Sequence, residues 1–590
     1  MKYLKLGAAL VALLSFSSCE RDFLDRPAED QVEAEFFFNT AKDLEVGTNN
    51  FYRILPTSGV YTDDASSDNI VPLTIADRVR GNRITPTAKG TGGWNWDRLR
   101  EINYFLANYH KVDDAAAKAH YGGVARFFRA YFYFDKVQRF GAVPWYSKVL
   151  SANDPDLYKA RDSRELVMDS VMKDINFAVE NIPEEKQLNR ITKYTALLLK
   201  ARIGLYEGTF RKYHGIDGYE PFLEAAVDAA AALIGTNAYT IFTTGGPTKA
   251  YRELFARDNQ DMTETILAAD FEKGIVTHNL GYTMTSPTYG AWGIPKDLIN
   301  SYLMADGSRF TDRPNYETIG YSEEMLNRDP RLTQTTAGPN FQVYGSTTNE
   351  PVNLNITTTG YRVIKALGSR DQWVTNSAYN DIIIFRYAEA LLILAEAKAE
   401  LGTLTQPDLN RTINVLRSRV NMGPLDMAQA NANPDPYQEA LYPNVDQGAN
   451  KGVILEIRRE RRIELFNEGH RWDDLMRWKA GKKLEQPMVG IYFPGVGAYD
   501  FTGDGNADVF VHTGSTNGAP STVTSFINIQ QRTLRDPQTG QQAASKGNLD
   551  PFPLGGIFDD EEDKDYYYPI PKEDLRLNEQ LEQNSGWEEK

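Results

Sequence analysis

Two tryptophans beside a glycine-rich loop are among the residues best suited to bind a ligand. Trp94 and Trp96 follow the stretch Lys89–Gly93 and come just before a predicted helix. Two indole rings two positions apart cannot both face one helical stripe, so one of them is expected to face solvent. Exposed aromatic faces bind ring-shaped ligands by stacking. Core packing is the alternative for each ring.

A second group of aromatic residues lies in the stretch 281–295. Tyr282, Tyr289 and Trp292 are separated there by glycine and proline, which predicts a loop. Aromatic rings in a loop lack a helical partner surface, so we expect these three to be exposed and to bind the ligand. Asp68 and Asn69 would add hydrogen bonds to ligand hydroxyls, with a turn as the slightly favoured alternative.

The segment 500–511 resembles a calcium-binding loop. Oxygen-bearing side chains alternate along it, and glycine occupies its sixth position. Val511 stands at the twelfth position, where such loops need a bidentate carboxylate. A turn without metal is therefore favoured over calcium. The calcium candidates are Asp500, Asp504, Asn506 and Asp508.

The composition and the missing motifs exclude several classes of protein. The 590-residue chain has 64 Lys and Arg against 80 Asp and Glu, and its net charge of −16 argues against a nucleic-acid partner. Cys19 is the only cysteine, so no cysteine-based metal site can form. The six histidines lack the H-E-x-x-H pattern, and no P-loop or G-x-S-x-G motif is present. We predict no cofactor, no catalytic residue and no enzymatic activity.

The first 30 residues predict export and membrane anchoring. Lys2 and Lys5 precede the apolar stretch Leu6–Phe16, whose eleven residues are too few to span a bilayer. Residues 1–18 therefore read as a signal peptide. Cys19, directly after it, resembles the acylated cysteine of bacterial lipoproteins, and residues 19–30 form a polar tether. The alternative is an ordinary secretory signal.

Hydrophobic periodicity predicts a mainly α-helical domain over 31–590. Apolar residues recur at helical spacing in the two parts 96–235 and 382–480, with alanines where paired helices would approach. This pattern is typical of a tetratricopeptide-like helical-repeat scaffold. The parts 236–380 and 484–565 are rich in Gly, Thr, Asn and Pro, which predicts long loops with small β elements. These loops are expected to form the ligand face, and 566–590 to close the domain.

Two features inside the helical parts have structural interpretations. Trp472, Leu475 and Met476 share one helical face, which favours core packing over ligand contact. The charged run Glu456–Glu464 is expected to be a solvated face with structural ion pairs.

Three segments in order resemble the SusD/RagB family of nutrient-binding outer-membrane lipoproteins of Bacteroidetes. They are Arg126–Pro144, Glu460–Trp478 and Tyr568–Trp587, and the last contains a P-I-P turn followed by N-x-x-L-x-Q-N-x-G-W. The resemblance implies a tetratricopeptide-like scaffold and a ligand face built from loops, with contacts near the Trp94–Trp96 junction and the 281–295 stretch.

The resemblance also implies partners and a location. It places the protein on the cell surface, lipid-anchored in the outer membrane, as a lid over a SusC-like, TonB-dependent transporter. The ligand would be a glycan or a peptide. A helical glycoside hydrolase and a tetratricopeptide adaptor that binds only a protein remain the alternatives.

Overall fold

Helices form most of the regular structure of the computed structural model, which describes residues 37–151, 153–351, 353–445 and 448–588. The signal peptide and tether predicted for residues 1–30, with Cys19, lie outside the described residues. The helices in chain order are α1 (Ala41–Asn49), α2 (Gly59–Thr62), α3 (Asp77–Arg80), α4 (Asp97–Asn108), α5 (Ala115–Phe140), α6 (Arg164–Asn181), α7 (Lys193–His214), α8 (Glu220–Gly235), α9 (Ala250–Ala256), α10 (Leu280–Thr285), α11 (Lys296–Ser301), α12 (Tyr321–Glu324), α13 (Leu332–Thr335), α14 (Tyr387–Glu400), α15 (Gln406–Asn410), α16 (Ile413–Arg419), α17 (Met427–Ala432), α18 (Pro436–Leu441), α19 (Lys451–Glu464), α20 (Arg471–Arg477) and α21 (Lys572–Leu577). The helices of the described ranges include none with the length and hydrophobicity of a membrane span.

The long helices begin and end at residues that satisfy their free backbone groups. The Asp114 side chain accepts the Ala117 N–H at the start of α5, and Thr192 forms a capping box at the start of α7. Gly141 and Gly215, both with φ of 70°, end these two helices in conformations that favour glycine. Local sequence therefore fixes the ends of these two helices.

The helices pack as consecutive layers, which confirms the predicted helical-repeat scaffold. Helix α5 packs on α6, α6 on α7, α7 on α8, and α8 on α14, which also contacts α19. Glycine allows the closest approach, because a Cβ atom at Gly204 of α7 would lie 2.5 Å from the carbonyl oxygen of Phe222. The alanines predicted at helix contacts, such as Ala196 and Ala201, are fully buried.

Small antiparallel and mixed sheets lie in the loop-rich parts, as the sequence predicts. The strands are β1 (Thr265–Ala269), β2 (Ile382–Arg386), β3 (Tyr492–Phe493), β4 (Gly497–Tyr499), β5 (Val509–His512), β6 (Ser525–Asn528), β7 (Leu534–Arg535), β8 (Gln542–Ala543) and β9 (Gly547–Leu549). They form the sheets β1-β2, β3-β9-β7-β8 and β4-β5-β6. The sequence predicts that Ile382–Arg386 begins the helical part 382–480, but this segment is a buried strand, because it pairs with β1.

The charged run Glu456–Glu464 is buried, so the prediction of a solvated face is wrong, whereas the predicted ion pairs are present. Glu464, fully buried on α19, accepts hydrogen bonds from Arg419 at 2.8 Å, Arg386 at 2.9 Å and Arg331 at 3.2 Å. Burial alone would raise the pKa of Glu464, but the three facing guanidinium groups lower it below its ordinary value. The network joins α19 to α16, to β2 and to the segment before α13.

Trp472 packs in the hydrophobic core, as its helical face predicts. Its side chain is 6% exposed, and the guanidinium carbon of Arg78 lies 4.3 Å from its ring centroid. Leu475 and Met476 are buried in the same cluster. This arrangement gives the tryptophan a structural role at the start of α20.

We expect Trp472→Ala to lower the free energy of unfolding by about 3–5 kcal/mol, because truncating a buried indole leaves a cavity. Thermal and denaturant melts would measure the loss. A matched control is Phe526→Ala, since Phe526 is 49% exposed on β6. An unchanged melting temperature together with lost ligand binding would instead assign Trp472 to a binding site.

Candidate functional site

A cavity of about 380 Å³ lies beside the start of α4, and we call it the aromatic groove. Tyr158 is 52% exposed at its rim, and Leu157 lies beside it. Aromatic rings and polar side chains face the same space, which is the composition expected of a small-ligand site. The aromatic and polar lining residues are Trp94, Trp96, Tyr146, Tyr158, Lys89, Asp97, Arg100, Asn103, Lys148, Asp574 and Asn578.

The two tryptophans of the groove have different environments. Trp94 is 3% exposed and packs edge-to-face on Phe140, with ring centroids 4.8 Å apart. Trp96 is only partly buried, and its ring packs against Trp94 at 5.4 Å and Tyr146 at 5.8 Å. The expectation that one ring of the pair reaches solvent is thus met by Trp96, whereas Trp94 forms the wall behind it.

A chain of buried polar groups holds the loop that carries Tyr146. Asp174 forms an ion pair with Arg129 at 2.6 Å, and Arg129 donates a hydrogen bond to the side-chain oxygen of Asn103. The Asn103 amide in turn donates to the carbonyl oxygens of Tyr146 and Lys148. These contacts fix the Tyr146 ring next to Trp96, which keeps the aromatic surface of the groove in place without a ligand.

Residues from the end of the chain form the opposite wall of the groove, which sequence reasoning did not predict. The Asp574 carboxylate, at 2.8 Å, accepts the N–H of Gly90, and the Asn578 amide donates to the carbonyl oxygen of Lys159. No neighbouring residues in the sequence indicate that these side chains line the groove, because their hydrogen-bond partners are more than 400 residues away.

The second predicted stretch provides a smaller aromatic surface, which we call the tyrosine patch. The rings of Tyr282 and Tyr289 stack with centroids 5.8 Å apart, and Tyr289 is 60% exposed. Trp292 is 2% exposed and belongs to the core, so the expectation that it faces a ligand is corrected. Its loop is fixed between Val71 and Tyr361, which hydrogen-bond to Gly293 and Ile294.

Trp373 lies in a turn that packs against α10, the helix that carries Tyr282, and sequence reasoning did not predict this. It is partly buried in the 3-10 turn Arg370–Trp373, and a Cβ atom at Gly281 would lie 3.4 Å from its Cα. The aromatic groove is lined by neither Trp373 nor the tyrosine patch. The structure therefore presents two aromatic surfaces where one shared ligand face was expected.

Asp68 and Asn69 are structural residues, which corrects the expectation that they bind a ligand. Each is 2% exposed. Asp68 pairs with Arg471 at 2.6 Å and Lys483 at 3.0 Å, and Asn69 accepts a hydrogen bond from Arg462. Burial would raise the pKa of Asp68, but these cations hold it well below its ordinary value. Neither side chain has an oxygen free for a sugar hydroxyl.

The calcium candidates form a hydrogen-bonded turn. The Asp500 carboxylate accepts the N–H groups of Gly503 and Gly505, and the Asp508 carboxylate accepts those of Phe501 and Thr502. Asp504 accepts the N–H of Asn506. Backbone donors thus bond both oxygens of Asp500 and one oxygen each of Asp504 and Asp508. Within the described ranges, no three His, Cys, Asp or Glu side chains converge as a metal site would require.

We expect Asp68→Ala to lower the free energy of unfolding by about 3–5 kcal/mol, because it leaves buried Arg471 and Arg462 without their shared carboxylate. Thermal melts against Asp169→Ala, an exposed site on α6, would measure the effect. A melting temperature like that of the control would contradict the structural role.

Two proteins of Formosa agariphila are similar to this chain along most of its length. SusD-like protein P38 is 27% identical over 514 residues, covering 82% of this chain and 92% of that protein. SusD-like protein P2 is 23% identical over 513 residues, covering 81% of this chain and 91% of that protein.

Solved structures and a family model agree with these similarities. A SusD-like protein of Bacteroides fragilis, 20% identical, has a TM-score of 0.67 and covers 95% of this chain and 100% of its own. Another from the same species, described as a SusD-like carbohydrate-binding protein, has a TM-score of 0.67 at 21% identity and covers 92% and 100%. At these identities the likeness shows a shared fold. The sequence model of the SusD family matches residues 251–587, more than half of the chain, and this chain therefore belongs to the SusD family.

Proposed function

We propose that this protein is a cell-surface binding protein that captures a glycan and delivers it to a SusC-like, TonB-dependent transporter. The observation that carries the proposal is the aromatic groove, in which the partly exposed Trp96 and Tyr158 lie among polar side chains. Membership of the SusD family and the fold shared with a SusD-like carbohydrate-binding protein support a glycan over a peptide.

The mechanism is capture and release without covalent chemistry. The apolar face of a sugar ring stacks on Trp96 or on the tyrosine patch, and this contact excludes water from both surfaces. Charged groups at the groove, such as the Asp97 carboxylate and the Lys148 ammonium, bond the sugar hydroxyls. Because the contacts are spread over several segments, loss of any one of them should weaken binding without abolishing it.

We expect Trp96→Ala and Tyr289→Ala each to weaken glycan binding by about tenfold, the loss of roughly 1.4 kcal/mol from one stacking ring. A glycan array would first identify a bound oligosaccharide, and titration calorimetry would then compare the variants. Phe526→Ala removes an exposed ring of the β4-β5-β6 sheet that does not line the aromatic groove, and it serves as the control.

The buried rings behave differently in the same comparison. Trp94→Ala and Trp292→Ala are expected to lower the melting temperature, because both side chains are almost fully buried. If Trp96→Ala and Tyr289→Ala both bind the glycan like the parent protein, neither surface is the binding site. Turnover of the glycan would support the hydrolase alternative.

We also propose that Cys19 carries the lipid anchor in the outer membrane. We expect Cys19→Ala to release the protein from membranes, since two or more acyl chains are needed for stable anchoring and only this cysteine is available to carry them. Fractionation of cells that lack the transporter would test this, with a variant at another tether residue, Glu20→Ala, as the control. Detergent-dependent membrane association of Cys19→Ala would contradict the anchor.

A further inference from the structure

The rim of the aromatic groove is apolar, although it faces solvent. Leu157, Tyr158 and Leu577 line the groove, and their exposed fractions are 36%, 52% and 42%. We call these three residues the apolar rim. Single exposed apolar side chains are ordinary on a protein surface, but several grouped at one cavity mark a contact surface for another molecule. This edge of the groove therefore suits a ligand that has apolar surface of its own.

The apolar rim is one continuous surface, although its residues come from two distant segments. Leu157 and Tyr158 belong to a short 3-10 turn, and Leu577 is the last residue of α21. The Asn578 amide donates a hydrogen bond of 3.0 Å to the carbonyl oxygen of Lys159. Because Asn578 directly follows Leu577 and Lys159 directly follows Tyr158, this bond holds the two parts of the rim side by side.

Both segments of the apolar rim are held by contacts within the protein. The Asp154 side chain accepts the N–H of Asp156 and thereby caps the 3-10 turn. The Asp574 carboxylate of α21 accepts the N–H of Gly90 at 2.8 Å. Because these contacts already order the rim, a ligand that covers it pays little entropy for fixing the backbone there.

Several polar side chains of the groove bond the protein itself. The amides of Asn103 and Asn578 donate to backbone carbonyl oxygens, and Asp574 accepts a backbone N–H. The Asp97 carboxylate and the Lys148 ammonium serve the ligand hydroxyls. An unsubstituted sugar carries a hydroxyl on most ring carbons, and a hydroxyl that is desolvated against leucine without a partner costs free energy. The apolar rim therefore favours a substituent that lacks a hydroxyl.

We propose that the apolar rim binds a methyl-bearing substituent, an acetyl group or the methyl group of a 6-deoxy sugar, on a glycan whose ring stacks on Trp96. This inference rests on the proposed function and narrows its substrate to glycans that are acetylated or contain deoxy sugars. A methyl group on the rim displaces water from Leu157, Tyr158 and Leu577. Burial of one such group raises the affinity about fourfold, which is equivalent to ~0.8 kcal/mol.

The test is a glycan array in matched pairs whose members differ only in the methyl-bearing group. Chitotriose and cellotriose differ in their N-acetyl groups, acetylated xylotetraose and its saponified form differ in O-acetyl groups, and L-fucose and L-galactose differ in the 6-deoxy methyl group. Other backbones in the array extend the comparison. We expect the methyl-bearing member of at least one pair to bind about fourfold more tightly, or more, than its partner.

Variants of the rim connect that preference to its residues. Leu157→Ala and Leu577→Ala should each weaken binding of the methyl-bearing member about fourfold and so narrow its advantage over the hydroxylated partner. Both leucines are exposed, so their truncation leaves the core intact. Leu554→Ala, at a leucine that is 91% exposed and does not line the groove, is the matched control.

Two kinds of failure are distinguishable. If the array captures only glycans without methyl groups, if the members of every pair bind equally, or if neither rim variant reduces the preference, the inference is overturned and the proposed function stands. Failure to bind any glycan, or capture of an apolar peptide in place of a glycan, would contradict the proposed function itself.

Discussion

Ion pairing inside the core is the constraint on which the rest of this structure depends. Helix α19 carries Glu460 and Glu464 into the interior, where arginines from α16, β2 and the segment before α13 converge on them. Exchanging such a network for apolar residues costs little, but removing one partner leaves a charge stranded in a medium of low polarity. Each of these segments must therefore occupy the position in which its arginine pairs with its carboxylate.

The same ion-pair network also positions surface loops that contain none of its charged residues. Arg462 of α19 holds the segment 68–69, and Val71 just beyond it hydrogen-bonds to Gly293 in the loop that follows the tyrosine patch. The buried ion pairs thus determine the position of loops at the surface through these connecting segments. The helical scaffold thus supports loops that present aromatic rings.

Local sequence predicted the helices and failed for contacts that join distant parts of the chain. Caps and periodicity locate α5 and α7 because both signals lie within a few turns of one helix. Asp68 looked like a loop residue that a ligand could reach, since its partner Arg471 is 403 positions away. Trp373 carried no motif at all, and only packing against α10 shows that it adjoins Tyr282. The sequence singles out aromatic residues by type, whereas burial, which separates Trp96 from Trp94, is a property of the folded molecule.

The aromatic groove is complete only when Asp574 lies in its wall. Its contact with Gly90 spans 484 positions, so the groove cannot form on a growing chain before residue 574 has been synthesised. Contacts of such large sequence separation close the longest loops, so their entropic cost must be met before they add stability. Local detachment of α21 would open the groove again and leave the helical layers intact. The complete groove is therefore present only in molecules in which α21 has packed onto the folded helical layers.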